Sequence, residues 1–196
     1  INQFINIEHF IKPSWNFMKE DFRPMNWFSL KDLAIIQNKI FVSYTEEISE
    51  NCWNTSLLIA DFNYENLKFK KLFSPSNCIH ETKNIDNSFH ARQSGGAIAA
   101  FNENNILFSI GDYRERHLAQ NKNSINGKII NINITNSDYE IVSMGHRNPQ
   151  GLYFDRESNI ILETEHGPSG GDEINILNIA DINKENFLNY GWPISS

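Results

Sequence analysis

The stretch Ala97-Ile98-Ala99-Ala100-Phe101-Asn102-Glu103-Asn104-Asn105-Ile106-Leu107-Phe108-Ser109-Ile110 reads as two short strands around a polar turn. Apolar and β-branched residues lie on either side of an Asn-rich tetrapeptide, and Asn tolerates the left-handed backbone that tight turns require. The unit appears twice more: residues 33–36 and 39–45 flank one turn, and residues 151–154 and 160–164 flank another. Outer strand candidates follow each hairpin. Residues 55–60 pair with 67–73, residues 128–134 pair with 140–144, and residues 173–177 stand alone after the third. Two inner strands followed by two outer ones, repeated, is the pattern of a β-propeller blade. The expected fold is all-β, with about three propeller blades whose hairpins lie near 33–45, 97–110 and 151–164. A β-sandwich of similar hairpins is the competing architecture, and the recurrence of the unit with its internal order kept favours the propeller. Ile40, Ile106 and Ile160 are 66 and 54 residues apart, so loops interrupt the blades. Residues 1–26 and 181–196 fit the repeat poorly. Three blades do not close a ring, and an open one exposes sheet edges, so the chain is expected to be part of a longer protein.

The composition excludes several classes of function. With 17 Lys plus Arg against 24 Asp plus Glu and a net charge of −7, the surface does not suit nucleic acid. No apolar run reaches the roughly 18–20 residues that span a bilayer. The chain starts at Ile1 with neither initiator Met nor signal peptide, which reads as a processed chain or a piece of one. Asn supplies 28 of 196 residues, which fits a turn-rich surface. Cys52 and Cys78 are compatible with one disulfide or with two buried thiols.

The polar residues concentrate between Gly145 and Trp192. Gly145-His146-Arg147-Asn148-Pro149-Gln150-Gly151 precedes the third hairpin, and Glu165-His166-Gly167-Pro168-Ser169-Gly170-Gly171-Asp172-Glu173 follows it. Asn189-Tyr190-Gly191-Trp192-Pro193 closes the region. Gly- and Pro-studded acidic loops place fixed carbonyls beside carboxylates, a donor set that suits a hard cation such as calcium.

Together these three motifs resemble the glucose/sorbosone dehydrogenase family, which includes soluble quinoprotein glucose dehydrogenase and the aldose sugar dehydrogenases. Gln93-Ser94-Gly95-Gly96, Ser109-Ile110-Gly111-Asp112 and Asn126-Gly127-Lys128 follow the family's order. The resemblance implies a six-bladed propeller holding pyrroloquinoline quinone (PQQ) and calcium, which oxidises an aldose to its lactone for an electron acceptor. It implies a periplasmic or secreted location. One calcium would sit on the Gly167 and Pro168 carbonyls; a second would draw on Asp172, Glu173 and Tyr190. Arg147 and Asn148 match quinone-contacting residues, and Asp112 matches a pocket acid.

The sequence departs from that pattern where the family carries its catalytic His. Gln93 falls there, or Arg92 under a one-residue shift, and neither an amide nor a guanidinium can act as a base. Ala97 stands where relatives carry Arg, and the region near Trp27 lacks the family's Gln-Gly-Gly element. His90, on a bulged strand, His166 or Asp112 are the alternative proton acceptors. Arg114-Glu115-Arg116 reads as a solvated charged loop, His80 and His117 as solvated histidines, and Trp15, Trp27 and Trp53 as core or loop anchors. Two competing functions remain: a non-catalytic propeller binding a carbohydrate or protein partner, and a calcium-dependent lactonase.

Overall fold

The computed structural model describes residues 28–182 and 187–195, together with Phe4, Ile5, Ile7 and Phe10. Trp15, Trp27 and the stretch around Trp27 read for a Gln-Gly-Gly element lie outside the described residues. After a short β1 (Phe4–Ile5), the first sheet runs through β2 (Leu30–Ile36), β3 (Lys39–Ser49) and β4 (Cys52–Asp61). β5 (Asn66–Leu67) pairs in parallel with β1 instead, and β6 (Lys70–Phe73) returns to β4 as the fourth strand. Only the second half of the strand expected over 67–73 therefore joins the sheet. Phe69, just before it, is drawn into an apolar cluster with Ile40, Val42, Tyr44 and Leu58. β7 (Ile79–His80) pairs with the start of β4.

The second sheet is an antiparallel meander of β8 (Gly95–Ala100), β9 (Asn105–Ile110), β10 (Lys128–Asn133) and β11 (Tyr139–Met144). A 3₁₀ turn over Arg116–Gln120 interrupts the β9–β10 connection. The third sheet has β12 (Pro149–Asp155), β13 (Ile160–Glu165) and β14 (Glu173–Asn178). The chain then recrosses to the second sheet, where β15 (Leu188–Asn189) lies parallel to β11.

The sheets stack face against face, with their first strands side by side. Asp32 on β2 accepts from Ile98 N on β8 at 2.9 Å, and Ser109 donates to the Pro149 carbonyl of β12 at 2.7 Å. This is the arrangement of three propeller blades, and period-two alternation produces it. On β9, Ile106, Phe108 and Ile110 pack with Phe41, Leu57 and Ile59 of the first blade. Leu107, between them, points the other way and packs with Ile161 and Leu177 of the third. A strand buried on both faces has to be apolar at most positions, which is why Ile106, Leu107, Phe108 and Ile110 are apolar on both faces of β9.

The outer faces of the end blades differ. Phe10, Leu67 and Phe69 pack on the far side of the first blade. On the far side of the third, Ile174 is 75% and Ile176 61% exposed.

Cys52 and Cys78 form a disulfide, with Cα atoms 5.3 Å apart and a sequence separation of 26. Closing a loop of that length restricts the unfolded chain by on the order of 3.5 kcal/mol. Reduction, or Cys52→Ser with Cys78→Ser, is expected to lower the unfolding free energy of the full chain by about that amount, measured by denaturant titration.

Candidate active site

Three segments meet at the ends of the first strands of the second and third blades. The turn before β8 carries Gln93, the residues after β9 carry Asp112, and the loop before β12 carries Arg147. Backbone bonds lace them together. Gly111 N donates to the Ser94 carbonyl at 2.8 Å, Tyr113 N to that of Gln93 at 2.9 Å, and Asp112 N to that of Arg147 at 2.9 Å. The approach is close enough to require glycine. A Cβ on Gly111 would stand 2.2 Å from the Gln93 carbonyl oxygen.

Asp112 has no exposed surface. Its Oδ1 accepts from Arg114 N at 2.8 Å, and its Oδ2 accepts from the Trp192 indole at 2.8 Å. With the Gln93 amide assigned to satisfy both of its neighbours, its nitrogen donates to Asp112 Oδ1 at 3.1 Å and its oxygen accepts from Arg147 Nη2 at 2.9 Å. Burial pushes the Asp112 carboxyl up to about 7, helped by the Glu165 charge and opposed by the Arg114 amide, the Trp192 indole and the Arg147 charge.

The Arg147 guanidinium also donates to the His166 carbonyl at 2.6 Å and the Gly167 carbonyl at 3.0 Å, and lies 5.4 Å above the Trp192 ring. Asn148 is buried, and its side-chain oxygen holds Gly95 N at 3.1 Å. The structure thus brings Gln93, Asp112, Arg147 and the Gly167 carbonyl into one cluster, with Asn148 bracing its floor. His90 borders it. Its Nε2 lies 3.4 Å from Arg114 Nη1. Burial, together with the charges of Arg114, Arg92 and Arg147, lowers its pKa to about 4 and keeps the ring neutral.

Two expectations need correcting. His90 is not on a bulged strand, because β8 begins only at Gly95 and residues 88–94 form loop and turn. The 114–116 run is not a solvated loop: Glu115 is buried and accepts from Ile85 N at 3.0 Å, and Arg116 pairs with Asp86 at 2.7 Å. Arg114 faces His90, as described above.

The remaining candidates spread along the third blade. The Pro168 carbonyl accepts from Gly171 N at 2.9 Å and closes a turn. Asp172 accepts from Gly167 N at 3.1 Å and sits 3.2 Å from His166 Nδ1, both side chains largely exposed. Glu173 accepts from Asn175 at 3.3 Å. Tyr190 donates to the Ile176 carbonyl at 2.8 Å, so its hydroxyl is not joined to Asp172 or Glu173. Trp53 stacks on Phe28 at 3.6 Å as a core residue.

Sequence reasoning missed two contributors. Trp192 reaches Asp112 across 80 residues because β15 carries the chain back onto the second blade. Glu165 is buried, and its Oε2 accepts from Arg147 N at 2.5 Å and Asn148 N at 3.2 Å, which fixes the backbone of both. Their presence inside two of the quoted motifs was the available signal.

A profile of the family described as Glucose / Sorbosone dehydrogenase matches residues 35–196. The chain belongs to this family. It is 31% identical over 115 residues to the aldose sugar dehydrogenase YliI of Escherichia coli (strain K12), covering 52% of this chain and 29% of that protein. Among solved structures, the soluble aldose sugar dehydrogenase of Escherichia coli in its apo-form superposes with a TM-score of 0.64 at 25% identity, over 85% of this chain and 49% of that one. The PQQ-bound form of the Streptomyces coelicolor aldose sugar dehydrogenase superposes with a TM-score of 0.66 at 20% identity, over 89% of this chain and 51% of that one. The chain therefore spans about half the length of these structures and under a third of the curated relative.

Within this family member, the raised pKa of Asp112 makes stability depend on pH. Its unfolded value is near 3.8 and its folded value near 7, so the folded state holds an extra proton between them. That contribution is complete below about pH 4 and is lost as the pH rises through 7. His90, lowered from 6.5 to about 4, acts in the opposite sense between those values. Unfolding free energies measured from pH 4 to 8 are expected to show, in wild type minus Asp112→Asn, a stability component that falls with rising pH.

Proposed function

We propose that the chain forms the cofactor-holding half of a quinoprotein sugar dehydrogenase that oxidises an aldose to its lactone and passes the electrons to an acceptor. The observation that carries the reading is the Gln93–Asp112–Arg147 cluster, set among Arg92, Arg114 and Arg147 in a chain whose net charge is −7. A concentration of guanidinium groups in an acidic protein suits a polyanionic ligand, and PQQ carries three carboxyl groups.

The donor set also suits the expected calcium. The His166 and Gly167 carbonyls already converge on a positive charge, the Arg147 guanidinium. Each carbonyl oxygen has two lone pairs, so Gly167 and Pro168 each keep one for a cation while the bonds to Arg147 and Gly171 persist. Arg147 and Asn148 would hold the quinone, Gly167 and Pro168 its calcium, and Asp172, Glu173 and Tyr190 a second calcium. When bound, PQQ supplies a two-electron acceptor for the hydride of the anomeric carbon.

The protein's own share is binding and proton transfer. Arg147 keeps its charge at working pH and orients acceptor oxygens by two-point donation. Gln93 cannot take a proton, so Asp112 receives that of the sugar hydroxyl at Oδ1, the oxygen that the Gln93 amide covers, once the amide turns aside. A carboxyl poised near 7 is matched to such a role. Trp192 and burial exclude water from Oδ2. The Cys52–Cys78 disulfide supports a periplasmic or secreted location, and among the described residues no helix is long and apolar enough to cross a membrane.

A second reading is favoured by Gln93 itself. Its amide spans Asp112 and Arg147 and ties up the groups that catalysis needs, as in a propeller that binds without turnover.

One experiment separates the two. The full chain is supplied with PQQ and calcium, and cofactor absorbance and aldose-dependent dye reduction are followed. The sugar dehydrogenase reading expects an absorbance shift, turnover that rises with pH around 7, and a loss of about 10²–10⁴-fold in Asp112→Asn. The binding reading expects the shift without turnover, and turnover gained in Gln93→His. Neither shift nor turnover overturns both.

A further inference from the structure

We infer that His146, Glu163 and Glu165 form a binding site for one divalent transition-metal ion of the zinc type, enclosed between the second and third blades. The site shares no ligand with the calcium positions considered above, although Glu173 and Tyr190 border it, and it does not depend on the cofactor reading. His146 and Glu163 side chains have no exposed surface, and that of Glu165 is 3% exposed. His146 Nδ1 lies 3.4 Å from Glu165 Oε1 and 3.7 Å from Glu163 Oε2, and the three donor atoms fall within 4.8 Å of one another.

These separations are long for N–H···O hydrogen bonds, which cluster near 2.9–3.0 Å. They match donors around one ion: bonds of about 2.0–2.2 Å at tetrahedral angles place neighbouring donor atoms roughly 3.3–3.6 Å apart.

Charge points the same way. Glu163, Glu165 and Glu173 share one amide donor, Asn175 Nδ2, at 2.9, 3.3 and 3.3 Å. Among the described residues no Lys or Arg side chain forms an ion pair with Glu163 or Glu165; His146 is the ion-pair partner of both, and the Arg147 charge acts on Glu165 from beyond ion-pair distance. Glu163 Oε1 is buried with no hydrogen-bond partner at all. Ser143 Oγ sits 2.7 Å from His146 Nε2, the kind of support that orients a metal-bound imidazole and leaves its Nδ1 lone pair for the ion. The Tyr190 ring, stacked 5.1 Å away, covers the imidazole. One imidazole with two carboxylates suits zinc-like ions; calcium takes six to eight oxygens. Because Glu165 Oε2 also holds Arg147 N and Asn148 N, an ion on its other oxygen would stiffen the backbone beneath the candidate active site.

A proton is the competing occupant, since burial and the neighbouring Glu165 push the Glu163 carboxyl up to about 8. Cobalt(II) distinguishes the two. The full chain, stripped with a chelator and dialysed, is expected to take up one equivalent of Co²⁺ with the visible d–d bands of a tetrahedral site, displaced by Zn²⁺. Glu163→Gln, which imitates the protonated side chain, is expected to weaken uptake at least about 100-fold. Ser143→Ala should weaken it about 10–100-fold and serves as the readout where Glu163→Gln does not fold. His166→Ala, in the exposed loop, should leave the bands intact. The site is refuted if wild type shows no tetrahedral bands, if affinity is unchanged in the folded Glu163 or Ser143 variant, or if the bands vanish in His166→Ala.

Discussion

A carboxylate with no access to water sets the terms for the rest of the molecule. Asp112 is tolerable inside only because three donors converge on it: Gln93 from one strand approach, the Arg114 amide from its own loop, and the Trp192 indole from the returning C-terminal segment. Gln93 is placed by backbone bonds that extend the β8–β9 hairpin past Gly95 and Ile110, and Trp192 by the return of β15 onto β11. Removing the glycine at position 111 would separate Gln93 from Asp112, because the carbonyl of one lies where a side chain of the other segment would need to be.

The architecture was readable because its cause is local. A strand covered on both faces needs mostly apolar residues, and Ile106, Leu107, Phe108 and Ile110 meet that need without reference to distant sequence, with Ser109 the one buried polar exception. The strand over 67–73 was only half legible, because Phe69 is drawn into a cluster assembled from several strands. At the site, the motif residues Gln93, Asp112 and Arg147 do converge. What joins them to Trp192 and Glu165 is geometry between strand ends, and residue spacing carries little record of which ends meet. Arg114 and Glu115 were misread for a similar reason: charge alone suggests solvent, while their partners, His90 and the Ile85 amide, come from a different loop. Spacing left the two cysteines open as well, since their pairing depends on β7 lying alongside β4.

The distribution of charge is more telling than its sum. An acidic chain gathers arginines around His90 on one side of the Arg147 backbone and carboxylates around His146 on the other. Arg147 and Asn148 lie at the boundary, with side chains turned toward the first group and amides bonded to Glu165 of the second. A change of charge in either group is therefore felt at the same short segment.

The bridge between Cys52 and Cys78 has a mechanical consequence. It pins the upstream end of the connection leading to His90 and Gln93, while the downstream end is sewn into β8. A segment clamped at both extremities can rotate its side chains but has little room to swing as a lid. Access for a guest molecule would then come from turning the Gln93 amide, with the main chain around it held nearly still.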